Sequence, residues 1–230
     1  MQLEVPFSVP QPVAGPPTAR NRTTTVTQAG RYQANFTKGG LMVPESRLVA
    51  DLLLQGVDAA GWKQAIEVEN RLRKRSPTTA STKAGLIRAR LQTMTPSLWH
   101  LVRDGDKPVA TQAVFAATLK YSPLLGDFLE LVVRDLYRRF ETELKPAHWD
   151  RYLDDCRTRD PRMPDWATGT LTSLRTRAFG MLAEAGYLST ARPRILKVPP
   201  LAPEVVACLR AQGEHAILRR LQVGPTRRME

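Results

Sequence analysis

Apolar side chains recur three and four residues apart from Pro123 to about Leu144, over about five helical turns. This spacing places them on one face of an α-helix, so the segment is predicted to be a long helix that buries that face. Proline favours the first turn of a helix, which puts the predicted start at residue 123. The predicted buried stripe comprises Leu125, Phe128, Leu129, Val132, Leu136 and Phe140.

The same spacing continues through most of the chain after residue 31, and prolines and glycines divide it into further helices. These helices are predicted near residues 44–55, 58–76, 81–93, 96–102, 107–121, 146–159, 166–185 and 201–212. The alternation from Arg194 to Val198 is the only good strand pattern, and it predicts a small hairpin. The sequence therefore predicts an all-α fold, a compact multi-helix bundle with a small C-terminal winged-helix-like β-hairpin.

Three regions are predicted along the chain. Residues 1–30 are rich in proline and threonine and keep no apolar period, which is typical of a flexible tail. Residues 31–145 are predicted to form an N-terminal helical domain. Residues 146–230 are predicted to form a C-terminal helical, winged-helix-like region that contains the hairpin.

The chain is strongly basic, because 34 lysines and arginines against 22 aspartates and glutamates give a formal net charge of +12. A folded domain with this excess attracts a polyanion, since each neutralised phosphate releases a counterion. One cluster falls between residues 71 and 90, where there is no acidic residue. Its predicted DNA-binding members are Arg71, Arg73, Lys74, Arg75, Lys83, Arg88 and Arg90. Cations at a helix end also stabilise the helix dipole, which is the structural alternative for this cluster.

A second basic cluster lies between residues 172 and 197, where Glu184 is the only acidic residue. A helix rich in threonine and arginine there leads through a glycine turn to the predicted hairpin. This order is typical of winged-helix modules, in which the helix enters the major groove and the wing contacts the DNA backbone. The alternative is an ordinary amphipathic helix with a solvated polar face. The predicted DNA-binding residues are Thr172, Arg175, Arg177, Arg192, Arg194 and Lys197.

The sequence carries no recognisable motif for catalysis or for a metal site. His100, His148 and His215 stand apart from one another and from any metal-ligand pattern. The two cysteines, Cys156 and Cys208, have no partner ligands nearby. We therefore expect no enzymatic activity, no metal and no cofactor.

The sequence also indicates where the protein works. Its apolar runs are shorter than the ~20 residues that a membrane-spanning helix needs. The N-terminus lacks a basic start followed by an apolar core, so no secretory signal is expected. Two free thiols suit a reducing compartment, and the expected location is the cytoplasm, with no membrane partner.

Motifs spread over residues 31–210 resemble the BrxA family of bacteriophage-exclusion (BREX) phage-defence systems. The motifs are Tyr32–Leu41, Glu45, Val49–Leu54, Asn70–Ser76, Leu98-Trp99, Asp104–Asp106, Leu119–Ser122, Leu125–Phe128, Val133–Asp135 and Leu182–Leu188. The resemblance implies an all-helical, cytoplasmic protein without catalytic activity that binds DNA in the defence system. The residues predicted to contact DNA come from charge and position, since the resemblance supplies none.

The leading hypothesis is a non-enzymatic protein that binds double-stranded DNA, with weak sequence preference, as an accessory subunit alongside other BREX proteins. Two alternatives stay open. In the first, the basic faces dock on acidic surfaces of other defence proteins and DNA binding is incidental. In the second, the protein binds RNA, because the resemblance also implies a core similar to an RNA-binding antitermination factor. Competition between duplex DNA and structured RNA separates the two nucleic acids.

Overall fold

A computed structural model describes residues 30–224, and ten helices make up this part of the chain. Residues 1–29 of the predicted flexible tail lie outside the described residues. None of the helices between residues 30 and 224 combines the length and apolar character that crossing a membrane requires. The helices are α1 (Val43–Leu54), α2 (59–68), α3 (Pro77–Leu91), α4 (Pro96–Asp104), α5 (Lys107–Tyr121), α6 (123–138), α7 (Pro146–Arg159), α8 (Thr168–Glu184), α9 (Pro203–Ala211) and α10 (His215–Leu221).

The centre of the fold is α5. Its side chains between Val109 and Leu119 are buried on nearly all sides, and many of them are alanines. A helix that is apolar all round is stable only inside a protein, and alanine side chains let neighbouring helices approach closely. The helices packed against it are α1, α3, α4, α6, α9 and α10.

An aromatic cluster joins α6 and α7 in the core. The ring centroid of Phe128 on α6 lies 4.7 Å from that of Trp149 and 5.2 Å from that of Tyr152, both on α7. Phe36, from the segment before α1, packs edge-on against Trp149 at 6.4 Å. Side chains from both predicted helical regions therefore share this cluster, and the boundary between residues 145 and 146 stays a prediction.

The Asp127 carboxylate on α6 ties together the two ends of the described chain. It accepts hydrogen bonds from the Arg31 guanidinium at 2.8 Å, the Tyr32 hydroxyl at 3.0 Å and Arg220 of α10 at 2.6 Å. Asp127 is only 7% exposed, so two guanidinium groups offset the cost of burying its charge. Gly126 makes room for this contact, because a Cβ there would lie 2.5 Å from Nη1 of Arg220.

The predicted long helix exists, but it ends at Arg138 rather than at Leu144. A π-helical segment, Phe128–Val133, adds a residue to one turn and shifts the buried face along the helix. Val133 is fully buried as a result, whereas the predicted Val132 is only partly buried.

Phe140 is wrongly predicted as a core residue, because its side chain is 86% exposed. The chain leaves α6 through a left-handed turn at this residue, with a φ of 58°. Two backbone hydrogen bonds close that turn, from the Phe140 amide to the Tyr137 carbonyl and from the Glu141 amide to the Leu136 carbonyl.

Two other helices have different bounds from those predicted. α2 ends at Val68, and a left-handed Asn70, with a φ of 47°, turns the chain away. α3 begins at Pro77, four residues before the predicted start, because the Ser76 hydroxyl caps it by accepting a hydrogen bond from the Thr79 amide at 3.2 Å.

The predicted β-hairpin, and with it the winged-helix-like part of the fold, is wrong. Residues 30–224 contain no strand, and the region makes only two isolated bridges, Leu188 with Leu196 and Glu143 with Ile195. Prolines flank the alternating segment on both sides, and proline has no amide N–H for a ladder. The compact helical fold is confirmed, and the segment after α8 is an irregular loop packed on the helices.

We predict that Asp127→Asn lowers the free energy of unfolding by about 3 kcal/mol, because it leaves two arginines without their shared carboxylate. Urea denaturation measures this change. The matched control is Asp135→Asn on the same helix, since Asp135 pairs with Arg139 at the surface at 2.9 Å. The control is expected to cost less than about 0.5 kcal/mol. Equal costs for the two variants would contradict the role of Asp127.

Candidate nucleic-acid interface

A loop between the N-terminal segment and α1 links α3 to the end of α8. From α3, the buried Arg90 donates hydrogen bonds to the carbonyls of Gly40 at 2.7 Å and Gly39 at 3.4 Å. From the end of α8, the Glu184 carboxylate accepts a hydrogen bond from the Leu41 amide at 3.1 Å. Gly40 has to be glycine here, because a Cβ would lie 2.5 Å from the Glu184 carboxylate.

This arrangement brings the two basic clusters of the sequence together. Burial lowers the pKa of Lys83 on α3, and the positive charges of Arg177 on α8, of Lys74 and of Arg90 lower it further. Arg177 is therefore close enough to Lys83 for their charges to interact. The positive charges of Arg177 and Lys74 both act on Lys83, so residues far apart in the sequence share one region of positive charge, which we call the basic ridge. The basic ridge comprises Arg73, Lys74, Arg75, Lys83 and Arg177.

Three cations of the ridge are free to meet a ligand. Arg73, Arg75 and Arg177 are exposed, and no carboxylate of residues 30–224 lies within ion-pair distance of them. Lys74 instead pairs with Glu45 at 2.5 Å, and the Lys83 ammonium donates a hydrogen bond to the Lys38 carbonyl.

The loop that carries Arg73 and Arg75 has a fixed shape. The Asn70 amide group donates to the Lys74 carbonyl at 2.7 Å, and its Oδ1 accepts from the Lys74 amide at 2.9 Å. Leu72 is buried and anchors the loop to the core. The flanking arginines therefore extend from a constrained backbone rather than from a free linker.

On the other side of α8, a cleft of about 540 Å³ contains three of the predicted arginines. We call it the arginine cleft, and its lining includes Thr172, Arg175, Thr176, Arg192 and Arg194. The Arg175 guanidinium lies 3.0 Å from both carboxylate oxygens of Asp150. Arg194 donates to the Ser189 and Thr190 carbonyls, while Arg192 is exposed. Lys197, from the same segment, is also exposed.

The outward face of α8, between the basic ridge and the arginine cleft, carries only small residues. Thr172, Ser173 and Thr176 are exposed there, and helical geometry places Gly180 on the same face. A Cβ at Gly180 would meet nothing within 4 Å, so core packing does not require this glycine. A small, hydroxyl-bearing helix face with cations on both flanks allows a large anionic partner to approach closely.

Of three further predicted residues, one is buried and two contact neighbouring side chains. Arg90 is 2% exposed and burial lowers its pKa to about 10, so its guanidinium is out of reach of a phosphate backbone. Arg88 lies over the Trp62 ring at 4.6 Å, and Arg71 pairs with Glu69 at 2.7 Å. The burial of Arg90 could have been predicted from the sequence, because Arg90 follows the buried Ile87 by three positions and so lies on the inner face of α3.

Four polar neighbours of the ridge are absent from the residues predicted to bind DNA. Lys38 and Thr82 line a small cavity of about 270 Å³ together with Thr78, Thr79 and Lys83, at the first turns of α3. Only the loop that Arg90 and Glu184 hold in place brings Lys38 there, so no local pattern could have revealed it.

Residues 30–224 contain no cluster of three or more histidines, cysteines or carboxylates able to hold a metal ion. Burial raises the pKa of both thiols, Cys156 and Cys208, which makes them poor nucleophiles.

The fold and this surface define a class of protein, namely a helical protein that exposes a basic ridge and an arginine cleft on the two flanks of one helix. The chain belongs to the BrxA family, whose sequence profile matches residues 30–213. The sequence-based resemblance is thereby confirmed.

The chain is 48% identical over 193 residues to a protein of Paramagnetospirillum magneticum described as BREX protein BrxA. That match covers 84% of this chain and 97% of the relative. A protein of the same description from Escherichia coli O9:H4 is 34% identical, over 80% of this chain and 86% of the relative. A crystal structure of an uncharacterized protein from Magnetospirillum magneticum is similar with a TM-score of 0.79 and 46% identity, over 84% of this chain and 100% of that one.

We predict that Arg90→Ala destabilises the protein by about 2–4 kcal/mol, since it leaves two buried carbonyls unpaired and opens a cavity. Urea denaturation tests this. Arg73→Ala removes the same charge from an exposed position of the ridge, and it should change stability by less than about 0.5 kcal/mol. An unchanged stability of Arg90→Ala would show that the guanidinium does not hold the loop.

Proposed function

We propose that this protein is a non-enzymatic, double-stranded-DNA-binding accessory protein of a BREX phage-defence system, acting in the cytoplasm with other BREX proteins. Membership of the BrxA family and the description of its relatives as BREX proteins support the defence role. The basic ridge and the arginine cleft support the DNA-binding role.

The observation that carries the DNA-binding part of the proposal is that Arg73, Arg75 and Arg177 are exposed and have no carboxylate of residues 30–224 within ion-pair distance. Burial is the main cause of the lowered pKa of Lys83, and nearby positive charges, first that of Arg177, lower it further. A polyanion bound on the ridge offsets this positive charge. Phosphate groups therefore complement a surface that is otherwise electrostatically unfavourable.

The arrangement around α8 favours duplex DNA over RNA. The major groove of B-DNA, about 12 Å wide, admits an α-helix. A helix with small outward residues fits such a groove, and the ridge and the cleft on its flanks would each face one phosphate backbone. The deep, narrow major groove of A-form RNA does not admit a helix in this way. Hydroxyl groups alone read bases weakly, so we expect low sequence preference.

We predict that the double charge swap Arg75→Glu and Arg177→Glu weakens binding to a labelled DNA duplex at least about tenfold. The wild type, with about five phosphate contacts, should give a log–log salt slope near −4.5, and the swap should reduce its magnitude by about 2 or more. Fluorescence anisotropy over a salt titration measures both. The matched control is Lys107→Glu with Arg210→Glu, two exposed cations on α5 and α9.

Each outcome of this titration leads to a different conclusion about the proposal. Loss of affinity in the ridge variant alone supports the proposal. Equal effects of the two swaps would mean that net charge, not the ridge, governs binding. A salt slope near zero would contradict DNA binding and favour docking on an acidic protein. Efficient competition by structured RNA, but not by duplex DNA, would favour the RNA alternative.

We further predict that Asp150→Asn tightens duplex binding about threefold at low salt, since it releases Arg175 from its ion pair and removes a negative charge beside the cleft. Asp154→Asn is the control, because it removes the same charge from the same helix, α7, but faces Arg157 instead. The same gain in both variants would show that the arginine cleft takes no part in binding.

A further inference from the structure

A second basic cleft, remote in sequence from the two predicted clusters, surrounds the exposed ring of Phe140. The cleft holds about 470 Å³ between the end of α6 and α10. Its lining comprises Arg134, Tyr137, Arg138, Phe140, Arg219, Gln222 and Gly224. No residue predicted from the sequence to bind DNA belongs to it, and we call it the Phe140 cleft.

Folding stability does not explain a phenylalanine at this position. Phe140 has a φ of 58°, a conformation that favours glycine after a helix end and is strained for a residue with a β-carbon. Its ring is 86% exposed, so it gains almost nothing from burial. A glycine would fit this turn better. The backbone hydrogen bonds of Phe140 and Glu141 fix the turn that carries the ring.

The charge of the cleft is positive. Arg138 is exposed and has no carboxylate of residues 30–224 within ion-pair distance. Arg134 and Arg219 have only Glu130, at 3.8 and 3.9 Å, and Glu130 makes its closer contact with Arg220 at 3.2 Å. One carboxylate thus serves three guanidinium groups, and the cleft keeps a surplus of positive charge.

We infer that the Phe140 cleft binds single-stranded nucleic acid, with an unpaired base stacked on the Phe140 ring and its phosphates held by Arg138 and Arg219. An exposed aromatic ring beside a positive groove is the combination that binds single strands, because every base has a face to stack and every nucleotide has a phosphate. Bases inside a duplex are already stacked on one another and leave no face for the ring.

An acidic protein fits this cleft less well. The apolar surface there is little more than one ring, because the hydroxyl of the neighbouring Tyr137 is occupied by the Lys197 carbonyl at 2.5 Å and most of that side chain is buried. A protein partner needs a larger apolar centre for stable docking. A base and its phosphate need only the ring and the guanidinium groups.

The test is anisotropy of a labelled oligothymidylate of about 12 nucleotides, a length within the site sizes of single-strand binding folds. Phe140→Ala is expected to weaken its binding about tenfold. Phe140→Trp should retain the affinity and show quenching of the added indole fluorescence. Duplex affinity should stay unchanged in both. Leu131→Ala, a truncation of another partly exposed apolar residue on α6, is the control and should bind as the wild type does.

A variant that relaxes the turn separates binding from folding. Phe140→Gly suits a φ of 58°, so it should unfold at the same temperature as the wild type, or higher, and still lose single-strand affinity. Unchanged oligothymidylate binding by both Phe140→Ala and Phe140→Gly would overturn the inference. Loss of single-strand binding in the Arg75→Glu, Arg177→Glu variant alone would also overturn it, because the strand would then lie on the basic ridge. Neither result would affect the duplex-binding proposal.

Discussion

The arrangement of the helices depends on how one buried negative charge is compensated. Asp127 sits on α6 beside the aromatic cluster, and its carboxylate is stable there only because two arginines and a tyrosine hydroxyl reach it. Arg31 comes from the start of the described chain and Arg220 from its last helix, α10. A single acidic group therefore fixes where both ends of the described chain lie on the core, and the BrxA profile match begins at residue 30, next to Arg31.

The buried guanidinium of Arg90 has the corresponding role beside the basic ridge. Arg90 has no carboxylate of its own within residues 30–224 and instead uses the carbonyls of Gly39 and Gly40. That loop is also bound by Glu184, so it links α3 to the end of α8. The basic ridge is a consequence of this bridge. Arg90, which the sequence predicts to contact DNA, is therefore buried and supports the loop beside the basic ridge.

The protein presents two different kinds of basic surface. The ridge and the arginine cleft lie on the two flanks of α8, whose outward side chains are small. We propose that this arrangement suits the regular phosphate spacing of a duplex. The Phe140 cleft, at about 470 Å³, is smaller than the arginine cleft, at about 540 Å³, and centres on one exposed ring. It depends on a helix end, since α6 ends at Arg138 and the chain turns at Phe140.

The sequence predicts the helical class, most helix positions, the family and the two basic clusters, because apolar periodicity and charge are local properties of the chain. Packing sets the remaining features. It brings the charge of Arg177 to act on Lys83, exposes Phe140 and replaces the expected hairpin by a loop with isolated bridges. Each of these outcomes depends on contacts between residues distant in sequence or on a left-handed turn at a non-glycine residue. No local pattern encodes such contacts, because the free energy that selects them arises only when the helices pack together.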